Sequence, residues 1–202
     1  VCGTGIGVVN ADAVLGADYL TVSGHKLGAP QGVGAAVFRS GLQVAPLLQG
    51  GGQERNRRAG TENVPAIAGF GAAIGALESS DQVAALRDRL EQRLLAGDAS
   101  ITVFGRETAR LPNTSCFAGG EKSAETLVMA LDLAGIAVSA GSACSSGKVK
   151  PSHVIGAMGF APDVAARAIR VSLGRDTTAD DVETFVSAWQ RIQAPHQLTA
   201  AA

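Results

Sequence analysis

Between Asp18 and Phe38 the chain is broken by Gly28, Pro30, Gly32 and Gly34, and two short β-prone runs flank the break. These runs are Tyr19-Leu20-Thr21-Val22 and Gly34-Ala35-Ala36-Val37-Phe38. Such punctuation forbids one continuous helix through the region and predicts two strands around a tight loop. Lys26, in Ser23-Gly24-His25-Lys26-Leu27-Gly28, then falls on that loop, where a rigid scaffold can hold a reactive amine.

The segments that follow read as an alternation of helix and strand. Gly50 to Arg58 is too polar and glycine-rich for a core and reads as an exposed loop. A helical tract runs from about Val64 to Leu95. Its first half carries Ala66, Gly69, Ala72, Ala73 and Ala76, small residues that permit close packing. Ser79-Ser80-Asp81 reads as a break and a new N-cap, after which Leu86, Leu90 and Leu94 form a helical stripe. The domain boundary is placed here, giving 1–80 and 81–202. Asn113 to Ala118 suits a strand. Ala124 to Ala134 suits a helix with Leu127 and Leu131 inward and Gly135 as its stop. Ile136-Ala137-Val138-Ser139 is expected as a strand. From Ala168 to Leu173, Ile169, Val171 and Leu173 share one face, and Arg170 and Ser172 the other. Thr178 to Asp181 resembles a capping box, opening a helix that buries Val182, Phe185, Trp189 and Ile192.

Composition narrows the function classes. A net charge of -1 over 202 residues argues against a nucleic-acid footprint. No apolar run reaches membrane-spanning length, and the first residues do not read as a basic, apolar, small-residue leader. Cys2, Cys116 and Cys144 lie far apart without CxxC spacing, so neither a disulfide framework nor a metal site intrinsic to the chain is expected. The expected compartment is reducing and cytoplasmic.

Three places carry candidate chemistry. Cys144, in Gly141-Ser142-Ala143-Cys144-Ser145-Ser146-Gly147, sits among small polar residues rather than large apolar ones, as an accessible nucleophile does. Cys116, inside a strand pattern, reads instead as a buried structural thiol. A lysine such as Lys26 is usually a solvated charge, yet one held in a turn can bond covalently to a carbonyl. Ser23 and His25 beside it could hold a phosphate together. Arg170, facing away from the apolar side of its strand, suits either a carboxylate clamp or a structural ion pair. Arg57, Arg58, Thr61 and Asn63 precede a helix, where donors attract phosphate, or where a Thr cap and a solvated loop suffice.

Four motifs occur in order: Ser-Gly-His-Lys-Leu-Gly-Ala-Pro-Gln-Gly-Val-Gly, then Gly-Gly-Gly-Gln-Glu-Arg-Asn-Arg-Arg-Ala-Gly-Thr-Glu-Asn-Val, Ser-Ala-Gly-Ser-Ala-Cys-Ser-Ser-Gly and Ile-Arg-Val-Ser-Leu-Gly-Arg. Together they resemble the cysteine desulfurases of iron–sulfur cluster assembly, within the class-V aminotransferases. The resemblance implies an α/β fold: the C-terminal part of the large domain of a fold-type I pyridoxal-phosphate enzyme, followed by a small α+β domain. It implies that Lys26 holds pyridoxal 5'-phosphate and carries the substrate α-proton. Ser23 and His25 would bind the phosphate, and Thr61 the phosphate in the partner subunit of a homodimer. Arg170 would clamp the carboxylate of L-cysteine. Cys144 would take the sulfur as a persulfide, releasing L-alanine, and pass it to an acceptor or iron–sulfur scaffold protein; it would at most share a cluster transiently. The chain opens on Val1 and resembles the C-terminal half of such an enzyme, so the isolated chain is expected to be inactive. A selenocysteine lyase, a class-V transaminase and a non-enzymatic fragment are the competing expectations.

Overall fold

A computed structural model describes residues 16–77, 81–140 and 152–194. The chain divides into two compact units, Val1–Ser79 and Ser80–Ala202.

In the first unit β1 (Tyr19–Ser23) and β2 (Gly34–Phe38) form an antiparallel pair, with Tyr19 opposite Phe38 and Ser23 opposite Gly34. Asp18 and Arg39 close the open end, through a backbone bond of 2.9 Å and an ion pair of 2.6 Å. The loop between the strands opens with a 3-10 turn, Gly24–Leu27. Gly28 ends that turn at φ 86°, a left-handed conformation that glycine adopts without a Cβ penalty. Helix α1 (Val64–Gly75) is capped by Asn63, whose Oδ1 accepts from the Ala66 N–H at 3.2 Å. The cap is therefore Asn63, not a threonine. The loop expected over Gly50 to Arg58 contains one turn, Gln53–Asn56, in which Glu54, Arg55 and Asn56 all have positive φ. Arg57 lies over the Phe38 ring, 5.2 Å from its centroid.

The second unit contains a four-stranded antiparallel sheet. Its strands are β3 (Thr102–Val103), β4 (Thr114–Ala118), β5 (Ser139–Ala140) and β6 (Ile169–Ser172), in the order β3-β4-β6-β5. Its longer helices are α2 (Asp81–Gly97), α3 (Ala124–Leu133) and α6 (Ala179–Gln193), with short α4 (His153–Ala157) and α5 (Pro162–Ala165). Leu90 and Leu94 of α2, Leu127 and Leu131 of α3, and Val182, Phe185 and Trp189 of α6 pack with Phe117 and Ile169 of the sheet. Phe117 and Trp189 meet edge to face at 5.2 Å. The alternate residues Cys116, Ala118 and Ala168 join a smaller cluster with Phe104, Ile155 and Ala165. Strand alternation thus gives the sheet two apolar faces.

One charged group lies inside. Glu91 is 3% exposed and receives both Arg110 guanidinium nitrogens at 2.6 Å and the Ser115 hydroxyl at 2.7 Å. The bidentate fork satisfies a carboxylate that would otherwise be costly to bury, and the bond that Arg110 donates to Glu91 raises the Arg110 pKa.

The expected strand over Ile136 to Ser139 is shorter than its apolar pattern suggests. The Ile136 N–H bonds back to the Leu131 carbonyl at 2.9 Å, and Gly135 takes φ 78°. That is a Schellman closure of α3. It commits the Ile136 donor to the helix end, so strand pairing starts only at Ser139.

Candidate functional site

The turn carrying Lys26 is fixed at both ends by backbone bonds. The Gly24 N–H donates to the Val33 carbonyl at 3.0 Å, and the Gly24 carbonyl accepts from Gly28 and, at 3.1 Å, from Ala29. A side chain at Gly24 would place a Cβ 2.6 Å from the Val33 oxygen, so this crossing needs glycine. Ser23, the last residue of β1, brings its Oγ within 3.0 Å of His25 Nδ1. Ser23, His25 and Lys26 are all exposed, so a hydroxyl, an imidazole and an amine are presented to solvent from one turn. Helix α1 supports the turn closely. A Cβ at Gly69 would sit 2.8 and 2.9 Å from the Pro30 ring. The sequence alone did not show this support.

Thr61 lies in the exposed segment before α1, next to Gly60 at φ 102°. Among the described residues no hydrogen bond joins it to Ser23, His25 or Lys26. Cys144 and Cys2, with Ser79 and Ser80, lie outside the described residues.

In the second unit Arg170 occupies the middle of β6, opposite Cys116 of β4 and Ser139 of β5. Its Nη2 donates to Ser139 Oγ at 3.4 Å. Among the described residues Arg170 has no carboxylate partner, whereas Arg87, Arg89, Arg93, Arg110, Arg167 and Arg175 of this unit are all ion-paired. Arg106 and Arg191 also lack such a partner but are exposed, and Arg170 is half-buried. A half-buried guanidinium with free donors has the geometry to take up a carboxylate. Cys116, expected as a buried core thiol, is half-buried and sits on the Arg170 face, because Ser115 and Phe117 take the inward positions of β4. Burial pushes its thiol pKa up, and the Arg170 charge opposes that shift. The residues that sequence reasoning missed are the two flanks of Arg170. Alternation gives a residue's face, but only the pairing register shows its neighbours.

A cleft of about 490 Å³ opens elsewhere in this unit, lined by Arg87, Asp88, Glu91, Arg106, Thr108 and Arg110 among others. It contains none of the expected site residues, and its charges are largely paired with each other. Among the described residues no group of three or more His, Cys, Asp or Glu is placed to hold a metal ion. No described helix is long and apolar enough to cross a membrane.

Comparison with known proteins places these features in a family. Residues 8–185 match the Aminotransferase class-V family. A cysteine desulfurase of Cereibacter sphaeroides is 48% identical over 171 residues, covering 84% of this chain and 44% of that protein. The X-ray structure of a NifS-like protein from Rickettsia africae ESF-5 superposes with a TM-score of 0.75 at 36% identity, over 89% of this chain and 48% of that one. The structure of SspA in complex with cysteine superposes with a TM-score of 0.60 at 30% identity, over 80% of this chain and 45% of that one. The chain therefore spans just under half the length of the relatives it matches. Its mixed α/β architecture with antiparallel sheets is that of the fold-type I enzymes seen in the NifS-like structures. On the match of residues 8–185, the chain belongs to the class-V aminotransferase family.

Proposed function

We propose that the protein of which this sequence forms part is a pyridoxal-phosphate-dependent cysteine desulfurase. The observation that carries this reading is the pinned turn that presents Lys26 beside the Ser23–His25 pair. It is supported by relatives named cysteine desulfurase at 44–48% identity. Family membership supplies the cofactor class. The donor chemistry of the turn fits it: hydroxyl and imidazole donors suit a phosphate, and an amine suits a carbonyl. Val1–Ser79 would be part of the cofactor domain and Ser80–Ala202 the small domain.

Bound pyridoxal phosphate would act as an electron sink for the pair released at the substrate carbons. Ser23 and His25 would anchor the phosphate, and Thr61 would reach the phosphate held by the second subunit of a homodimer. Lys26 would fix the cofactor carbonyl carbon and later carry the proton removed from the substrate Cα. Arg170 would orient the substrate through a charge-assisted fork to its carboxylate. The Cys144 thiolate would attack the sulfur of L-cysteine. An S–S bond would form as the Cβ–S bond breaks, and protonation of the carbon would give L-alanine. The balance is L-cysteine plus a protein thiol to L-alanine plus a protein persulfide, with no external oxidant. An acceptor in iron–sulfur cluster or thio-cofactor synthesis would then take the sulfur, in the cytoplasm.

The test is reductive trapping. Incubation with pyridoxal phosphate, borohydride reduction and peptide mapping should place one stoichiometric label on Lys26, absent from Lys26→Ala. After L-cysteine, mass spectrometry should find the extra sulfur on Cys144. Label scattered over other lysines, or sulfur on Cys116 instead, would overturn these assignments.

A further inference from the structure

Three adjacent strands of the second sheet, β4, β6 and the edge strand β5, place Cys116, Arg170 and Ser139 in one cross-strand row. Their face changes character along its length. At one end Ala118 and Ala168 are buried, and Cys116 packs against their cluster. At the other end Thr114 pairs with Ser172, which is exposed. Arg170 and Ser139 lie half-buried between these ends. A ligand on this face would meet an apolar floor on one side and water on the other, with the guanidinium where the floor stops.

The hydrogen bond between them has a direction. A guanidinium can only donate, so Ser139 Oγ must accept from Arg170 Nη2, at 3.4 Å. The serine O–H remains available, and no acceptor for it is found among the described residues. A hydroxyl that accepts from a cation is a stronger donor through its own hydrogen, because successive hydrogen bonds polarise one another. The row therefore presents guanidinium N–H groups and one polarised O–H side by side. On the other flank stands a thiol that burial keeps protonated, so it does not neutralise the arginine.

We infer that Ser139 is a second carboxylate-binding residue: it orients Arg170 as an acceptor and donates its own hydroxyl to the carboxylate of the amino-acid substrate. The inference rests on the reading of Arg170 as the carboxylate clamp. It makes carboxylate recognition a two-strand property, shared by β6 and the edge strand β5. The expected consequence is specificity for α-amino acids over their decarboxylated analogues, with Ser139 and Arg170 both contributing.

The test is ligand binding by the cofactor-loaded protein, read from the cofactor absorbance, with L-cysteine compared with cysteamine, which lacks the carboxylate. Ser139→Ala should weaken L-cysteine binding by about tenfold or more, as expected for a lost hydrogen bond to a charged group. Cysteamine binding should be unchanged, and Ser139→Thr, which keeps the hydroxyl, should restore L-cysteine binding. In turnover the loss should appear in KM rather than kcat. If Ser139→Ala keeps the wild-type preference for L-cysteine while Arg170→Ala loses it, the clamp stands and the serine role is wrong. If Arg170→Ala also keeps the preference, the clamp itself is wrong and the inference falls with it. Equal weakening of both ligands by Ser139→Ala would show a structural role and overturn the inference.

Discussion

The two units are built on different principles. In the described part of the first, the buried residues are Gly24, Ala29, Ala66 and Phe70, and its order comes from a strand pair and a turn tied by backbone bonds. The second encloses a cluster that includes Trp189, Phe117, Leu90, Leu94, Leu127, Leu131 and Ile169, each at most 2% exposed. The proposed chemistry uses both designs. The lysine proposed to bond to a cofactor stands on a hydrogen-bonded turn. The arginine proposed to select a substrate stands on a sheet backed by a packed core. A turn fixes the direction of a short segment, and a core fixes the register of strands far apart in sequence.

The largest test of that contrast is a pair of matched truncations. Phe117 is fully buried and touches the Trp189 and Phe185 rings. Phe117→Ala should destabilise the second unit by about 3–5 kcal/mol, the sum of lost transfer energy and a cavity. Phe70→Ala in the first unit should cost closer to the transfer term alone, about 2 kcal/mol, because sparse neighbours can close the gap. Urea unfolding followed by the single tryptophan, Trp189, reads the first change, and hydrogen exchange of α1 amides reads the second. Equal losses would remove the distinction between the units.

What was legible in the sequence follows the same division. Leu90 with Leu94, Leu127 with Leu131, and the Thr178–Asp181 box are local patterns, and each lies where its spacing predicts. The strand pair around Lys26 was legible because glycine and proline leave few alternatives there. The cap of α1 was not, because Thr61 and Asn63 are both capable and only the backbone at Asn63 decides. The row Cys116–Arg170–Ser139 was invisible, since its members are 54 and 31 residues apart (170 − 116 and 170 − 139) and nothing local encodes register.

A sharper test concerns how tightly the turn of the first unit is held. Gly69→Ala should raise helix propensity in α1, worth roughly 1 kcal/mol. The added Cβ would meet the Pro30 ring at 2.8 Å, and overpacking of this kind costs about 1–3 kcal/mol. The proline ring is closed onto its own backbone and cannot swing aside as a flexible side chain would, so the net effect should be destabilising. Amides from Gly24 to Ala29 should exchange faster, and reductive trapping at Lys26 should fall. Unchanged exchange would mean that α1 does not support the turn.

The smallest effect tests whether hydrogen bonds of the same kind matter where a core already exists. Asp181 accepts from both the N–H and the hydroxyl of Thr178 at 2.8 Å. The backbone bond first, then the side-chain bond, holds its carboxyl below the usual carboxylate range. A depressed folded value means that this contribution is present above the unfolded carboxylate pKa of about 3.9 and is lost as pH falls through the folded value. Thermal midpoints of wild type and Asp181→Asn should therefore differ most at neutral pH and converge in acid. The gap should be small, because the carboxylate is fully exposed and α6 is already anchored by Val182, Phe185 and Trp189. A gap that persists in acid would remove the carboxylate charge as its cause. A large one would mean that the second unit, like the first, depends on its local hydrogen bonds.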